Sequence, residues 1–175
     1  MNKISLLILS ILLQMNTSKA QYEINKVEAE VFERFIRFVS WPEAGSDTTH
    51  FEIVIYGESD LGNYLKDNYT GKTKFLKNKP VIIHSVEHIS EIKSPDLLYI
   101  ASSAIDELSM IKESLKDAPV LTVTDFPQAC EKGIMVNLSI ENKKIKIEIN
   151  LEESKKVGLK VDALLLNYAT LISTK

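Results

Sequence analysis

Residues 119–166 read PVLTVTDFPQACEKGIMVNLSIENKKIKIEINLEESKKVGLKVDALLL, and the hydrophobic rhythm changes twice along them. Val120 to Thr124 is an apolar, β-branched run between Pro119 and Asp125. Such a run suits a strand buried on both faces, as in a parallel sheet. Ile134 to Ile140 and Lys144 to Asn150 alternate more openly around the polar tip Glu141-Asn142-Lys143, which predicts an antiparallel hairpin. In its second arm Ile145, Ile147 and Ile149 share one face, and Lys144, Lys146 and Glu148 the other, so one face is core and the other wet. After Asn150 the period becomes helical. Val161, Leu164, Leu165, Tyr168 and Leu171-Ile172 form a stripe expected to pack on the sheet.

Outward from this stretch, the beginning of the chain reads as an export signal. Lys3 supplies a basic start, Ile4 to Leu13 an apolar run, and Ser18-Lys19-Ala20 a small-residue cleavage site, so cleavage is expected after Ala20. The apolar run is about half of the ~20 residues a spanning helix needs, which disfavours the alternative of an uncleaved anchor. No other stretch is apolar enough to span a membrane. Residues 21–175 then form a single domain of ordinary size. The formal charge of the whole chain is −3, and removing Lys3 and Lys19 with no acid takes it to −5. An acidic exported protein is a poor nucleic-acid binder. The single cysteine, Cys130, allows no internal disulfide and reads as a buried small hydrophobe.

Ile24 to Val39 is expected to be the first helix. Ile24, Val27, Val31, Phe35 and Phe38 fall at helical spacing, and Phe32, Ile36 and Val39 widen the stripe beyond one face. Pro42 is expected to stop it, with the lone Trp41 at the stop. A polar loop over Ala44 to His50 leads to a strand at Phe51 to Tyr56. Ser59 or Asp60 caps a short helix through Leu61 and Leu65. Gly71 to Pro80 is lysine-rich, with an edge strand around Lys74 to Leu76. Val81 to Val86 and Leu97 to Ala101 are strands, and Ser102 or Ser103 caps a helix from Ala104 to Leu115. Strand, helix, strand, strand, helix, strand implies α/β architecture: a mostly parallel mixed sheet flanked by helices, with the antiparallel hairpin and a helix at the C-terminal end.

Catalytic motifs are absent from the sequence. Gly57-Glu58-Ser59-Asp60-Leu61-Gly62 has glycines at phosphate-loop spacing, but Asn63-Tyr64 stands where that loop needs Lys and Ser or Thr. His84 and His88 lie in and beside a strand pattern and form no recognised ligand set, so no metal or cofactor is expected. The acids of the first helix read as a solvated face. Ligands of open parallel sheets lie beyond the carboxyl ends of the strands, which here carry Ser59-Asp60, Ser102-Ser103 and Asp125-Phe126. These six are candidate ligand residues, with Phe126 placed to stack on a ring; the alternative is that they only cap helices. The wide first stripe suggests that Phe32, Ile36 and Trp41 form a dimer or partner surface, the alternative being plain core.

Several segments together resemble the YfiR-like (HmsC-like) periplasmic regulators. Phe35-Ile36-Arg37-Phe38-Val39-Ser40-Trp41-Pro42 is similar to that family's helix ending in aromatic-x-x-Trp-Pro. Phe51 to Gly57 is similar to the strand that follows. Val120-Leu121-Thr122-Val123-Thr124-Asp125 resembles its Val-Leu-Thr-Val-Ser-Asp segment, and Lys132 to Val136 its Gly-Gly-Met-Ile segment. Ile147-Glu148-Ile149-Asn150 and Gly158-Leu159-Lys160-Val161 match its Glu-Ile-Asn and Gly-Leu-x-Ile signatures. The resemblance implies a Rossmann-like sandwich that dimerises. It also implies a non-enzymatic periplasmic protein that represses a membrane-anchored diguanylate cyclase, or a related sensor histidine kinase, through the partner's periplasmic domain. The alternative reading is a periplasmic binder of an amino acid or nucleoside, feeding a transporter or sensor.

Overall fold

A computed structural model of the chain describes residues 23–42, 49–69, 74–141 and 144–175. The expected signal segment, most of the 44–50 loop, residues 71–73 and the hairpin tip at 142–143 lie outside the described residues. Helix α1 covers residues 23–37. It is followed by strands β1 (Val39–Ser40) and β2 (Phe51–Tyr56), helix α2 (Asp60–Tyr69), and strands β3 (Phe75–Leu76), β4 (Lys79–Val86) and β5 (Leu97–Ile100). A 3-10 segment, Ser102–Glu107, runs into α3 (Leu108–Ser114), then β6 (Leu121–Thr124), β7 (Val136–Glu141) and β8 (Lys144–Ile149). The chain finishes with α4 (Leu151–Lys156), β9 (Lys160–Val161), α5 (Ala163–Leu166) and β10 (Thr170–Leu171).

The main sheet has eight strands in the order β10-β8-β7-β6-β5-β2-β4-β3. Neighbours run parallel from β7 through β6, β5 and β2 to β4, while β8 and β3 join antiparallel. This is the expected mixed, mostly parallel α/β sheet. Both faces of its centre are buried, so the central strands carry apolar residues without interruption. Phe51, Ile53, Ile55, Leu97 and Tyr99 face one core with Phe32, Phe35 and Ile36 of α1. Val54, Tyr56, Leu98 and Ile100 face a second core with Leu108 and Ile111 of α3 and with Phe126. In β6 the alternate positions are threonines, and their hydroxyls are used. Thr124 Oγ1 donates to the Ile100 carbonyl at 2.7 Å, and Thr122 Oγ1 accepts from Met135 N–H at 3.1 Å.

Two sequence expectations are corrected. The C-terminal stripe does not make one long helix. Gly158, at φ +78°, follows the end of α4, and Asp162 caps a single turn by accepting from Leu164 N–H at 2.8 Å. Lys160–Val161 pairs with Ser40–Val39, and Thr170–Leu171 joins the sheet beside Glu148–Ile149. Leu164, Tyr168 and Leu171 are consequently exposed, Tyr168 at 81%. The first helix is also rotated from the expected stripe. Ile24 and Val27 are 41% and 46% exposed, whereas Asn25, Ala29, Phe32, Phe35 and Ile36 are buried. The helix ends at Arg37, five residues before Pro42, because the chain must extend into β1.

Phe32 and Ile36, expected at a dimer or partner surface, lie fully buried in the first core and cannot face a partner in this fold. The width of the stripe is explained by wrapping: α1 sinks deep enough for Phe32 to meet Tyr99 edge-to-face, with centroids 6.4 Å apart. Trp41 is half-buried. Its ring packs edge-to-face on Phe51 at 5.2 Å, and its indole N–H donates to the Asp96 carbonyl at 2.9 Å.

Cys130 is buried, and burial first, then the charge of Glu148, pushes its thiol up to about 12. A thiol so shielded presents almost no thiolate at neutral pH. Thermal melts with and without reductant are expected to coincide, and a thiol reagent should react only after denaturation. A melt lowered by reductant would reveal an intersubunit bridge.

Candidate functional site

The chain leaves β2 toward β4 on one side of the sheet, and leaves β5 toward β6 on the other. The two connections diverge, and a crevice opens beyond the carboxyl ends of the strands, where open α/β sheets hold ligands. Here its volume is about 480 Å³. The turn from β2 into α2 supplies Glu58, Ser59, Asp60, Leu61 and Asn63, the end of β5 supplies Ser102, and the end of β6 supplies Asp125. From above, α1 supplies Asn25 and Glu28.

Local geometry fixes this rim. Gly57 turns the chain at φ +86°, and a Cβ there would lie 2.7 Å from Ser103 Oγ and 3.2 Å from Ala101 Cβ. Only glycine allows both the turn and the close approach. Ser103 then clasps the turn: its Oγ accepts from Glu58 N–H at 2.8 Å and donates to the Glu58 carbonyl at 3.2 Å. Ser59 Oγ accepts from Gly62 N–H at 2.9 Å, which makes Ser59 rather than Asp60 the cap of α2. Ser102 and Ser103 do not cap a following helix, because they lie inside the 3-10 segment themselves.

Of the six candidate ligand residues, Ser59, Asp60, Ser102 and Asp125 line this crevice. Ser103 lines a neighbouring crevice of about 450 Å³ that shares Glu58 and Asn63 across the turn. Phe126 is buried in the second core, away from either wall. Glu28 departs from the solvated face expected of its helix, and Asn25 and Tyr99 were not singled out by sequence. Asn25 carried a legible signal: it occupies the first position of the buried stripe 25-29-32-36, where a polar residue needs a reason.

The floor is a hydrogen-bonded group. The Tyr99 hydroxyl bonds the Asp125 carboxyl, and Ser59 Oγ lies 3.1 Å from the Tyr99 oxygen, where either hydroxyl can donate. Burial raises the Asp125 carboxyl, opposed by the Tyr99 hydroxyl and by N–H groups of Asp125 and Ser102. The other carboxylate oxygen, Oδ1, is buried and finds no hydrogen-bond partner among the described residues. Glu28 is pushed up to about 7, first by burial and then by the charge of Asp125.

Because the folded value of Glu28 lies above its unfolded one, the folded chain holds the proton more tightly. Stability is therefore lost as pH rises from about 4.5 to about 7, and the loss is complete above that window. Glu28→Gln should melt like the wild type at pH 4.5 and gain stability at pH 8. Glu28 is only half-buried, and solvent screening limits the gain to about 1 kcal/mol, a few degrees in Tm. Melting curves across pH check this, and a gain confined to acid pH contradicts it.

Elsewhere, His84 Nε2 lies 3.7 Å from a Glu52 carboxylate oxygen on the neighbouring strand. Among the described residues no three His, Cys, Asp or Glu side chains gather into a metal-ligand group. No helix among the described residues is long and apolar enough to cross a membrane.

The family model described as YfiR/HmsC-like matches residues 25–170, nearly the whole described chain. The chain belongs to the YfiR/HmsC-like family. No curated protein matches it at a significant level. Among solved structures, it resembles a conserved domain protein from Vibrio cholerae O1 biovar El Tor, with 10% identity and a TM-score of 0.55, over 86% of this chain and 60% of that one. It also resembles a ligand-free, open substrate-binding protein with adhesive properties from Clostridium difficile, with 12% identity and a TM-score of 0.52, over 73% of this chain and 56% of that one. The chain thus spans less than two thirds of either structure, and at these identities the likeness is one of fold.

Proposed function

We propose that this protein is a non-enzymatic periplasmic regulator that binds the periplasmic domain of a membrane-anchored signalling protein and holds it inactive. The partner proposed first is a diguanylate cyclase, with a sensor histidine kinase as the related case. The observation that carries this reading is the family match over residues 25–170. Export by a signal segment cleaved after Ala20, a single domain over 21–175 and a homodimeric state belong to the same proposal. Deleting the gene should raise cellular cyclic-di-GMP, and restoring it should return the level to normal. An unchanged level, in a strain whose cyclase is otherwise inducible, argues against cyclase repression.

A second reading is favoured by the crevice at the carboxyl edge. It is concave, sits where the sheet connections diverge, and collects polar groups from α1, the β2–α2 turn, β5 and β6. In this reading the protein holds a small ligand there, either as the signal it senses or as cargo.

A further inference from the structure

We infer that the β10 edge of the main sheet is a contact between two copies of this chain. In it β10 pairs antiparallel with β10 of its partner, and Leu164, Tyr168 and Leu171 pack beside the pair. This deepens the homodimeric state proposed above and rests on it, and it gives that state a surface other than the buried face of α1.

Three observations carry the inference. First, the sheet ends in an open strand. β10 is outermost, beside β8. The Ile172 N–H turns inward to the Ile149 carbonyl at 2.9 Å. By alternation the Leu171 N–H and carbonyl point away from the sheet, with no strand beyond them among the described residues. An edge of this kind pairs with another chain unless charge guards it or another element covers it. Second, this edge is apolar and unguarded. Leu164, Tyr168 and Leu171 are each more than half exposed. Charged residues make up 26% of the chain, yet residues 163–174 contain none. Exposed aromatic and aliphatic side chains without charge have the composition of an interface core. Third, charge selects the occupant. Each copy carries a formal −3, so two copies repel unless they meet on an uncharged surface, and residues 163–174 provide one. A lipid surface is matched by lysines on the polar face of an apolar segment, and this segment has none. A foreign extended peptide gains few main-chain bonds from a two-residue strand. A second copy buries every side chain of the patch twice. Three large exposed side chains from each protomer supply much of the about 1,000 Å² that a specific interface needs. At the two-fold axis Leu171 meets its own copy.

The test is sedimentation equilibrium of the purified protein at micromolar concentration, for the wild type, Tyr168→Ala, Leu171→Lys, Leu171→Glu and Met110→Lys. A wild-type dimer is expected. Tyr168→Ala and Leu171→Lys should each weaken self-association at least tenfold. Met110→Lys should leave it unchanged, since Met110 is an exposed apolar residue on α3, which packs on the other face of the sheet. Leu171→Lys mixed with Leu171→Glu should restore the dimer, because opposite charges then face each other across the two-fold axis. A contact between unlike surfaces gives no such rescue. Circular dichroism checks each variant; should Leu171→Lys fail to fold, Tyr168→Ala decides alone. A dimer unmoved by both substitutions overturns this surface and leaves the homodimeric state standing. So does a dimer that Leu171→Lys breaks and the mixture fails to restore. A monomeric wild type overturns both. If that monomer sediments with phosphatidylglycerol vesicles and Tyr168→Ala does not, the patch is a lipid contact instead.

Discussion

Ile36→Asp is expected to leave no folded protein. Ile36 is 0% exposed and lies in the core between α1 and the sheet, among Phe32, Phe35, Ile53 and Tyr99. A carboxylate there has no cation beside it. Either it ionises unpaired in an apolar environment or it pays to remain protonated, and it also loses the packing of the isoleucine. Together these reach about 4–5 kcal/mol or more, a large part of the whole stability of a domain this size. Far-UV circular dichroism of the purified variant, or its failure to accumulate, reads the result. The outcome separates two accounts of α1. A folded Ile36→Asp protein that merely loses self-association would return this helix face to an interface role.

Asn150→Ala is expected to cost about 3 kcal/mol, from several hydrogen bonds lost at once. Asn150 is 0% exposed and closes the β8–α4 junction. Its Nδ2 donates to the Cys130 carbonyl at 2.8 Å and to Thr174 Oγ1 at 2.9 Å. Its Oδ1 accepts from Glu153 N–H at 3.2 Å and so caps α4. Alanine strands a buried carbonyl and an uncapped N–H together, and it also frees the C-terminal segment that Thr174 pins. The expected reading is a lower urea midpoint with unchanged slope. Asn150→Asp keeps the cap but loses both donors, and should fall between. A loss below about 1 kcal/mol for alanine would mean that water replaces these partners without difficulty.

The centre of the sheet was legible because the residues leave little choice. Leu121 to Thr124 is buried on both faces, and the run is bounded by Pro119 and Asp125. The hairpin was legible because Lys146 and Glu148 alternate with Ile147 and Ile149. The C-terminal stripe misled because Leu164, Leu165 and Tyr168 satisfy helical spacing locally. Their fate is decided instead by distant partners: Val39 pairs with Val161, and Glu148 pairs with Thr170. Four of the six ligand candidates could be placed at the crevice from strand ends alone, since position beyond a strand terminus follows from topology. Glu28 could not, because only the packing angle of α1 brings its carboxylate over the sheet. Phe126 was misjudged for the converse reason: an aromatic just past a strand end turns inward when the second core has room for it.

The central claim is that this protein works by binding the periplasmic domain of a membrane signalling protein. The most direct measurement is titration of the purified protein against the isolated periplasmic domain of a cyclase or kinase encoded beside it. A saturable complex of defined stoichiometry is the predicted result, together with reduced output from the full-length partner in membranes. Two well-folded proteins that form no complex at micromolar concentration, with partner output unchanged, would contradict it.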